Sequence, residues 1–112
     1  MSNNIFQDII DKKIPAEIIY EDDLALAFND ISPQAPIHIL VIPKKPITKL
    51  SASGDDDQKL LGHLLLVVKK ITSDKNISDY RVAINNGAEA GQTVFHLHLH
   101  ILAGRTFGWP PG

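Results

Sequence analysis

Three of the five histidines in this chain stand at every second position of the segment TVFHLHLHIL, residues 93–102. Side chains alternate between the two faces of a β-strand, so an extended backbone would place His96, His98 and His100 on one face. Their Cα atoms would lie roughly 6–7 Å apart, which lets the rings converge on one small group. The opposite face is apolar and consists of Phe95, Leu97, Leu99 and Ile101. Packing against a helix explains the apolar row but not the imidazole row, which therefore indicates chemistry.

Converging imidazoles suit two kinds of chemistry. The first is a metal site, because imidazole is a common zinc ligand and three histidines leave a fourth position open for water. No carboxylate or cysteine accompanies the triplet, which counts against a metal. The second is nucleophilic catalysis, in which a neutral imidazole attacks phosphorus and water then cleaves the phosphoimidazole. The flanking histidines would donate hydrogen bonds to the phosphoryl oxygens, and one would protonate the leaving group.

The loop before the histidines, NNGAEAGQT at residues 85–93, favours the phosphorus chemistry. Gly87 and Gly91 allow the backbone to come close to a ligand, and the N–H groups of such a loop can hold anionic oxygens. Thr93 adds a hydroxyl next to the histidine row. A glycine-bearing loop alone is weak support, but its direct connection to the imidazoles indicates a phosphate site.

The other two histidines are less informative. His63 lies on the polar side of the long predicted helix, where a solvated side chain is expected. His38 lies in a predicted strand, and it either forms hydrogen bonds within the core or supports the histidine site.

The whole pattern predicts one α+β domain over residues 1–112, with a five-stranded antiparallel sheet, one short helix and one long helix. The short helix is predicted near the N-terminus, where apolar residues recur at helical spacing. Ser2, Asn3 or Asn4 would cap this helix, and Pro15 would end it. The long helix is predicted over residues 51–76, and the strands over residues 17–21, 24–28, 37–43, 80–86 and 94–102.

The apolar residues of the long helix cover an arc of roughly 160°, at about 100° per residue, which is wider than one contact with a sheet needs. They are Leu60, Leu61, Leu64, Leu65, Val67, Val68 and Ile71. Either a second copy of the chain covers part of this arc, or the helix lies under a strongly curved sheet. The pattern does not choose between the two.

The composition excludes several classes of protein. The chain has no cysteine, which excludes disulfides, thiolate zinc sites and a cysteine nucleophile. Its formal net charge of -2 argues against strong binding to long nucleic acid. The first ten residues lack the pattern of a secretory signal, and no apolar run is long enough to cross a bilayer. We therefore expect a cytoplasmic protein, with a nuclear pool left open.

The segment HLHLHIL, residues 96–102, resembles the signature of the histidine triad (HIT) family, His-φ-His-φ-His-φ-φ with φ apolar. The preceding GQTV, the front of the chain from residue 5 to residue 45, the long helix and the final WPPG are also similar to this family. Within the family, GR after the triad and the WPPG tail resemble the Hint branch, the histidine triad nucleotide-binding proteins. The Fhit branch, which cleaves diadenosine polyphosphates, is less similar.

The resemblance implies a homodimer in which two five-stranded sheets join and the long helices pack at the interface. It also implies a purine nucleoside 5′-monophosphoramidase, which cuts the P–N bond of AMP or GMP phosphoramidates through a nucleotidyl-histidine intermediate. Apolar walls hold a purine face without strong readout of the base, so both adenine and guanine are expected to fit.

The resemblance assigns roles to residues by position. His98 matches the nucleophile, and His38 matches a supporting histidine. The histidines that flank the nucleophile are His96 and His100. Asp30 matches the carboxylate that accepts the ribose hydroxyls, where the alternative role is to cap its own loop. Positions around the ribose and phosphate are matched by Asn85, Gly91 and Thr93, the last also a catalytic candidate. The apolar walls of the base pocket are matched by Ile5, Phe6, Ile9, Phe28 and Ile31. Trp109 matches a tail residue that approaches the other subunit's site.

Two departures leave the substrate preference open. Asn29 stands where Hint proteins often have histidine, and Ala103 replaces a common glycine. Zinc binding is associated with Hint-type proteins, but the nucleophilic mechanism needs no cofactor, so any zinc here is expected to be adventitious. Two other functions stay open: a nucleotide-binding interaction module with little catalysis, and a histidine-rich metal-binding protein.

Overall fold

The computed structural model describes residues 4–112, which form one sheet with an α-helix against each face. The α-helices are α1 (Ile5–Ile10) and α2 (Gln58–Asp74). The strands are β1 (Ile18–Glu21), β2 (Ala25–Asn29), β3 (Ile37–Pro43), β4 (Tyr80–Ala83) and β5 (Leu99–Ala103). They lie in the order β1-β2-β3-β5-β4, and every neighbouring pair is antiparallel. The predicted fold class, with its five-stranded antiparallel sheet, long helix and short helix, is confirmed.

Alternating side chains along the central strands build a core on both faces of the sheet. The face against α2 receives Ala25, Ala27, Ile39, Val41, Leu99 and Ile101. The face against α1 receives Leu26, Phe28, Leu40 and Ile42, together with Phe6 and Ile9 of the helix itself. His38 and His100 stand at positions that alternate with the α2-facing residues, so they lie on the α1 side of the sheet.

The start of α1 is capped as predicted. The side-chain oxygen of Asn4 accepts the backbone N–H of Gln7 at 2.7 Å, which satisfies one of the free N–H groups of the first turn. The other two predicted caps, Ser2 and Asn3, lie outside the described residues.

The end of α1 differs from the prediction. The helix stops at Ile10, well before Pro15, and Lys12 adopts a left-handed φ of 61°. A residue in this conformation cannot continue a right-handed helix, so the proline is not what ends it.

The long helix begins at Gln58 rather than at residue 51, and two short 3₁₀ turns, Leu50–Ala52 and Asp55–Asp57, precede it. Its buried apolar residues are Leu64, Val67, Val68 and Ile71. Leu65 of the predicted arc remains 54% exposed, so the arc is only partly covered within the chain. Leu66, outside the arc, is 62% exposed. No helix among residues 4–112 is both long enough and apolar enough to span a lipid bilayer.

The fifth strand is shorter than predicted, since it begins at Leu99 and not at residue 94. Val41 pairs with Leu99, and the same register would place Pro43 opposite Leu97. Proline has no N–H to donate to a ladder, so regular pairing stops there. The Leu97 N–H instead donates to the carbonyl of Ile47 at 2.7 Å.

The packing of Phe95 corrects a second part of this prediction. Leu97, Leu99 and Ile101 join the core under α2 as expected. Phe95 does not, because it lies in the bent segment before the strand and is 43% exposed.

Candidate active site

Four histidines form one cluster on the α1 side of the sheet. His38 of β3 and His100 of β5 come from paired strands, and their ring centroids are 5.1 Å apart. His98, just before β5, places its ring 4.9 Å from that of His100. The Phe6 ring of α1 lies edge-on to both His98, at 5.0 Å, and His96, at 6.3 Å. The three rings of the triplet therefore share one side of the sheet, although only His100 belongs to the regular strand.

The ring of His98 is held by the main chain two residues earlier. Its Nδ1–H donates to the carbonyl oxygen of His96 at 2.7 Å. A carbonyl oxygen can only accept, so Nδ1 carries the proton of the neutral ring and Nε2 keeps its lone pair. Nε2 forms no hydrogen bond within residues 4–112, and 7% of the surface of His98 stays exposed. This nitrogen is therefore chemically ready to act as a nucleophile.

His96 is arranged for support rather than for contact with a substrate. It is 1% exposed, and its Nε2–H donates to the carbonyl of Pro43 at 2.8 Å. The neutral ring has no second N–H, because the buried Nδ1 carries the remaining lone pair. The expectation that His96 donates to a phosphoryl oxygen is therefore wrong for this neutral ring.

A backbone amide sets the protonation of the other two rings. The Gln34 N–H donates to Nδ1 of His38 at 3.0 Å, so the proton of the neutral His38 ring is on Nε2. That Nε2–H donates to Nδ1 of His100 at 2.9 Å. His100 must then carry its own proton on Nε2, a buried atom with no hydrogen-bond partner among residues 4–112. A buried donor without a partner is costly, so an acceptor that reached this N–H would be stabilised.

Burial keeps these rings neutral near pH 7. Removal from water disfavours the imidazolium form and lowers the pKa of His38, His96 and His98. Burial, followed by repulsion from the neighbouring histidine rings, lowers the pKa of His100 to about 4. The carboxylate of Asp30 opposes the shift in His38, His98 and His100 without reversing it.

The sequence presented Asp30 either as a ribose-binding carboxylate or as a cap of its own loop, and the structure shows the cap directly. Its Oδ1 accepts the Ser32 N–H at 2.8 Å and so caps the loop before β3. Its Oδ2 lies 3.4 Å from Nε2 of His38, beside the histidine cluster. The same carboxylate can therefore hold its loop and present one oxygen to a ligand.

Asp30, His38 and His100 are the group whose donor atoms come close enough to surround a metal ion, all within 4.8 Å of one another. The hydrogen bonds argue against such a site. A metal ligand must offer a lone pair, but the Gln34 N–H occupies the lone pair on Nδ1 of His38 and leaves the proton on Nε2. Metal binding at this group would require that bond to break, so the residues fit a proton-bearing cluster better than a metal.

Close approach of the glycine loop to a ligand stays a prediction, but both glycines adopt backbone conformations that other residues rarely reach. Gly87 and Gly91 adopt left-handed φ angles of 99° and 98°. A Cβ atom at Gly91 would lie 3.5 Å from Nδ2 of Asn85, so the amide of Asn85 reaches the turn of the loop. Thr93 is exposed two residues further on. The structure thus joins Asn85 and Gly91 and leaves the threonine accessible.

Two glutamines outside the predicted set of site residues support this site. Gln34 acts through its backbone N–H, which any residue except proline supplies. Gln92 is 2% exposed, and its side chain bonds to backbone groups of Gly87, Thr48 and Val94. Thr48 is distant from Gln92 in sequence, so only the folded chain reveals that contact.

The predicted apolar walls divide into buried and exposed residues. Phe6, Ile9 and Phe28 are buried in the core beneath α1, with the two phenylalanine rings 5.4 Å apart. Ile5 is 44% exposed and Ile31 is 93% exposed. Phe6 is the residue that joins this core to the histidine rings.

Trp109 lies far out on the tail and is 82% exposed. Arg81 of β4 holds the tail, since its Nη2 donates to the Gly108 carbonyl at 3.0 Å and its Cζ lies 5.9 Å from the indole centroid. Within residues 4–112, no aromatic contact joins Trp109 to the histidine cluster. Its approach to a site in another subunit stays a prediction.

The fifth histidine is separate from the cluster. His63 of α2 is hydrogen-bonded to Oδ2 of Asp22 at 2.7 Å, and the same oxygen accepts the Tyr20 hydroxyl. It is half-buried rather than fully solvated, and it links the helix to the turn between β1 and β2.

A family model, similar sequences and similar solved structures all indicate the same family. The HIT domain family model matches residues 11–107. An uncharacterized HIT-like protein of Synechocystis is 62% identical over 111 residues, which cover 98% of this chain and 97% of that protein. A HIT family hydrolase from Legionella pneumophila aligns with a TM-score of 0.95 and 45% identity over 98% of this chain and all of its own. A histidine triad nucleotide-binding protein from Candida albicans aligns with a TM-score of 0.80 and 37% identity, covering 96% of this chain and 83% of that one.

Lowering the pH from 7.5 to 4.5 should reduce the free energy of unfolding. Unfolded histidines titrate near pH 6.5, whereas the buried rings take up protons only at lower pH, so the unfolded chain binds more protons in between. Each such proton gives a slope of about 1.4 kcal/mol per pH unit. For His100 the loss continues down to about pH 4. Urea unfolding at fixed protein concentration, followed by circular dichroism, measures the slope.

Two variants identify the source of this slope. His100→Asn should flatten it, whereas His63→Asn, which lies outside the cluster, should not. A free energy of unfolding that stays constant from pH 7.5 to 4.5 would contradict the assignment of neutral, buried rings.

Proposed function

Because the chain belongs to the HIT domain family, we propose that it is a hydrolase that cuts the P–N bond of purine nucleoside 5′-phosphoramidates. The products would be AMP or GMP and a free amine. One observation carries this proposal: the His98 ring, which keeps an unbonded lone pair on Nε2, lies 4.9 Å from the His100 ring, which keeps an unpartnered N–H on Nε2. A nucleophile beside a hydrogen-bond donor suits attack on a phosphorus atom whose oxygens gain charge.

In the first step, Nε2 of His98 forms a bond to phosphorus as the P–N bond breaks. The leaving nitrogen takes a proton from solvent and departs as the amine, which leaves the nucleotidyl group on His98. The Nδ1–H of this ring stays bonded to the His96 carbonyl, so the positive charge that develops on the imidazole is stabilised. The N–H of His100 would donate to a phosphoryl oxygen.

In the second step, water attacks phosphorus and the bond to His98 breaks. The electron pair of that bond returns to Nε2, the hydroxyl group stays on phosphorus, and the remaining proton passes to solvent. The ring regains its starting tautomer because its Nδ1–H has not left the carbonyl of His96. The enzyme is then ready for another turnover.

The remaining residues would bind the nucleotide. Oδ2 of Asp30 would accept the ribose hydroxyls, since Oδ1 is already used by the loop. Asn85, Gly91 and Thr93 would surround the ribose and phosphate. The base would lie against apolar side chains that include the exposed Ile5 and Ile31. The nucleotide-binding name of the similar Candida albicans protein supports a nucleotide as the ligand.

Replacing His98 with Asn should lower the hydrolysis of adenosine 5′-phosphoramidate by at least about 10³-fold, because the nucleophile is removed. AMP should still bind, with an affinity within about tenfold of the original, because the other contacts remain. Hydrolysis is measured by the release of AMP, with guanosine phosphoramidate in parallel, and binding is measured by calorimetry.

His63→Asn is the matched control, since it removes an imidazole outside the cluster, and its turnover should stay near that of the original protein. Near-normal turnover by His98→Asn would exclude His98 as the nucleophile. Binding of AMP without any hydrolysis by the unmodified protein would favour the interaction-module function instead.

We further propose that turnover needs no metal ion. The Gln34 N–H keeps His38 in a tautomer that offers no lone pair toward Asp30 and His100. Dialysis against EDTA, checked by elemental analysis, should therefore leave kcat unchanged. Activity that disappears on chelation and returns with zinc would show that this is wrong.

A homodimer is the third part of the proposal. Among the described residues, β4 is paired on one side only, with β5, so its other edge is free to pair with a second copy. The exposed side chain of Leu65 on α2 belongs to the wide apolar arc that the chain alone leaves uncovered. A dimer joined at β4 would extend the sheet.

Leu65→Glu should weaken the dimer, because it would introduce a charge into an apolar interface. Leu66→Glu is the matched control, since Leu66 is an exposed leucine of the same helix, as Leu65 is, but lies outside the predicted arc. Sedimentation velocity at micromolar concentration distinguishes the two. A monomeric unmodified protein, or equal weakening by both substitutions, would rule out this interface.

A further inference from the structure

Gln92 is a buried polar side chain that the proposed chemistry does not use. It is 2% exposed, although glutamine is usually found at protein surfaces. Burial of an amide is costly unless its donors and acceptor are bonded. Each polar atom of this side chain has a backbone partner, so the environment is built for an amide.

The first set of bonds closes the glycine loop. Oε1 of Gln92 accepts the Gly87 N–H at 2.8 Å, and the backbone N–H of Gln92 donates to the Gly87 carbonyl at 3.1 Å. These two bonds join the start of the loop to its end. Between them, the Gly91 N–H donates to the carbonyl of Ala88 at 3.0 Å. The side chain and the backbone N–H of Gln92 therefore both close the loop from Gly87 to Gln92.

The second set of bonds fastens this loop to the rest of the protein. Nε2 of Gln92 donates to the Thr48 carbonyl at 2.8 Å and to the Val94 carbonyl at 3.1 Å. Thr48 lies five residues after Pro43, the last residue of β3. The Pro43 carbonyl accepts a hydrogen bond from His96. The loop and His96 are therefore both hydrogen-bonded to the stretch of backbone from Pro43 to Thr48.

We propose that Gln92 is a positioning residue that holds the loop from Gly91 to Thr93 at the place of the substrate phosphate. This inference rests on the proposed function, because it requires the ligand to carry a phosphate. Neither the N–H nor the hydroxyl of Thr93 donates a hydrogen bond within residues 4–112. These groups remain available to an anionic oxygen, and Gln92 determines where they stand.

Only an amide of this length satisfies all partners, because it offers one acceptor and two donors. Gln92→Met keeps a similar volume and removes every side-chain hydrogen bond. Gln92→Glu keeps the acceptor for Gly87 and removes both donors to Thr48 and Val94. The two variants therefore separate closure of the loop from its attachment to the segment after β3.

The experiment compares AMP with adenosine, which differ only in the phosphate, by calorimetry on the full chain. Gln92→Met should lower the affinity for AMP by about tenfold or more and should leave the affinity for adenosine within about twofold of the original. The reason is that only the phosphate would contact the loop. Gln92→Glu should also weaken AMP selectively, since its loop loses its attachment. Gln58→Met, at the exposed start of α2, is the control and should change neither affinity.

The outcomes separate this inference from the proposed function. Equal loss of AMP and adenosine binding in both variants, or no loss in either, would overturn the positioning role. So would an unmodified protein that binds AMP no better than adenosine. If the unmodified protein binds AMP but hydrolyses no phosphoramidate, the proposed function fails, while a selective loss of AMP binding would still support Gln92. Circular dichroism melting identifies a variant that does not fold, and the other variant then decides.

Discussion

The chemistry of the histidine cluster depends on three backbone groups that each occupy one ring nitrogen. The Gln34 N–H occupies Nδ1 of His38. The Pro43 carbonyl occupies Nε2 of His96, whose own carbonyl occupies Nδ1 of His98. A neutral imidazole has one N–H and one lone pair, so each bond also determines what the opposite nitrogen can do. Burial completes the constraint, because it lowers the pKa of every ring in the cluster and limits each to a single proton.

Because of this arrangement, neighbouring histidines offer different groups, a lone pair or an N–H, although their side chains are the same. His98 keeps an unbonded lone pair and His100 keeps an unbonded N–H. His96 keeps only a buried lone pair, because its N–H is already bonded. The difference comes from which backbone group each ring meets and not from residue type. It also leaves His38 without a lone pair toward Asp30 and His100, because the Gln34 N–H occupies its Nδ1.

The sequence alternation predicted the correct side for the histidines, but the regular strand begins later than the alternation suggests. Pro43 cannot continue the ladder, so the chain before β5 is held instead by the Leu97 N–H and by the side chains of His96 and Gln92. Apolar residues of the alternation are correctly placed from Leu97 onward. Phe95 lies between Gln92 and His96, before the regular strand begins, and its side chain is 43% exposed.

By itself, the sequence determined the α+β class, the five strands, the two helices and the grouping of three histidines beside a glycine loop. These features arise from local periodicity and from turn residues, which act over a few positions. Only the tertiary structure decided which nitrogen of each ring carries a proton, that His38 bonds to His100, and that Gln92 fastens the loop. Each of these depends on a hydrogen bond between residues that are distant in sequence or on a backbone group of no particular residue type. Such bonds leave no pattern in the chain until folding brings their partners together.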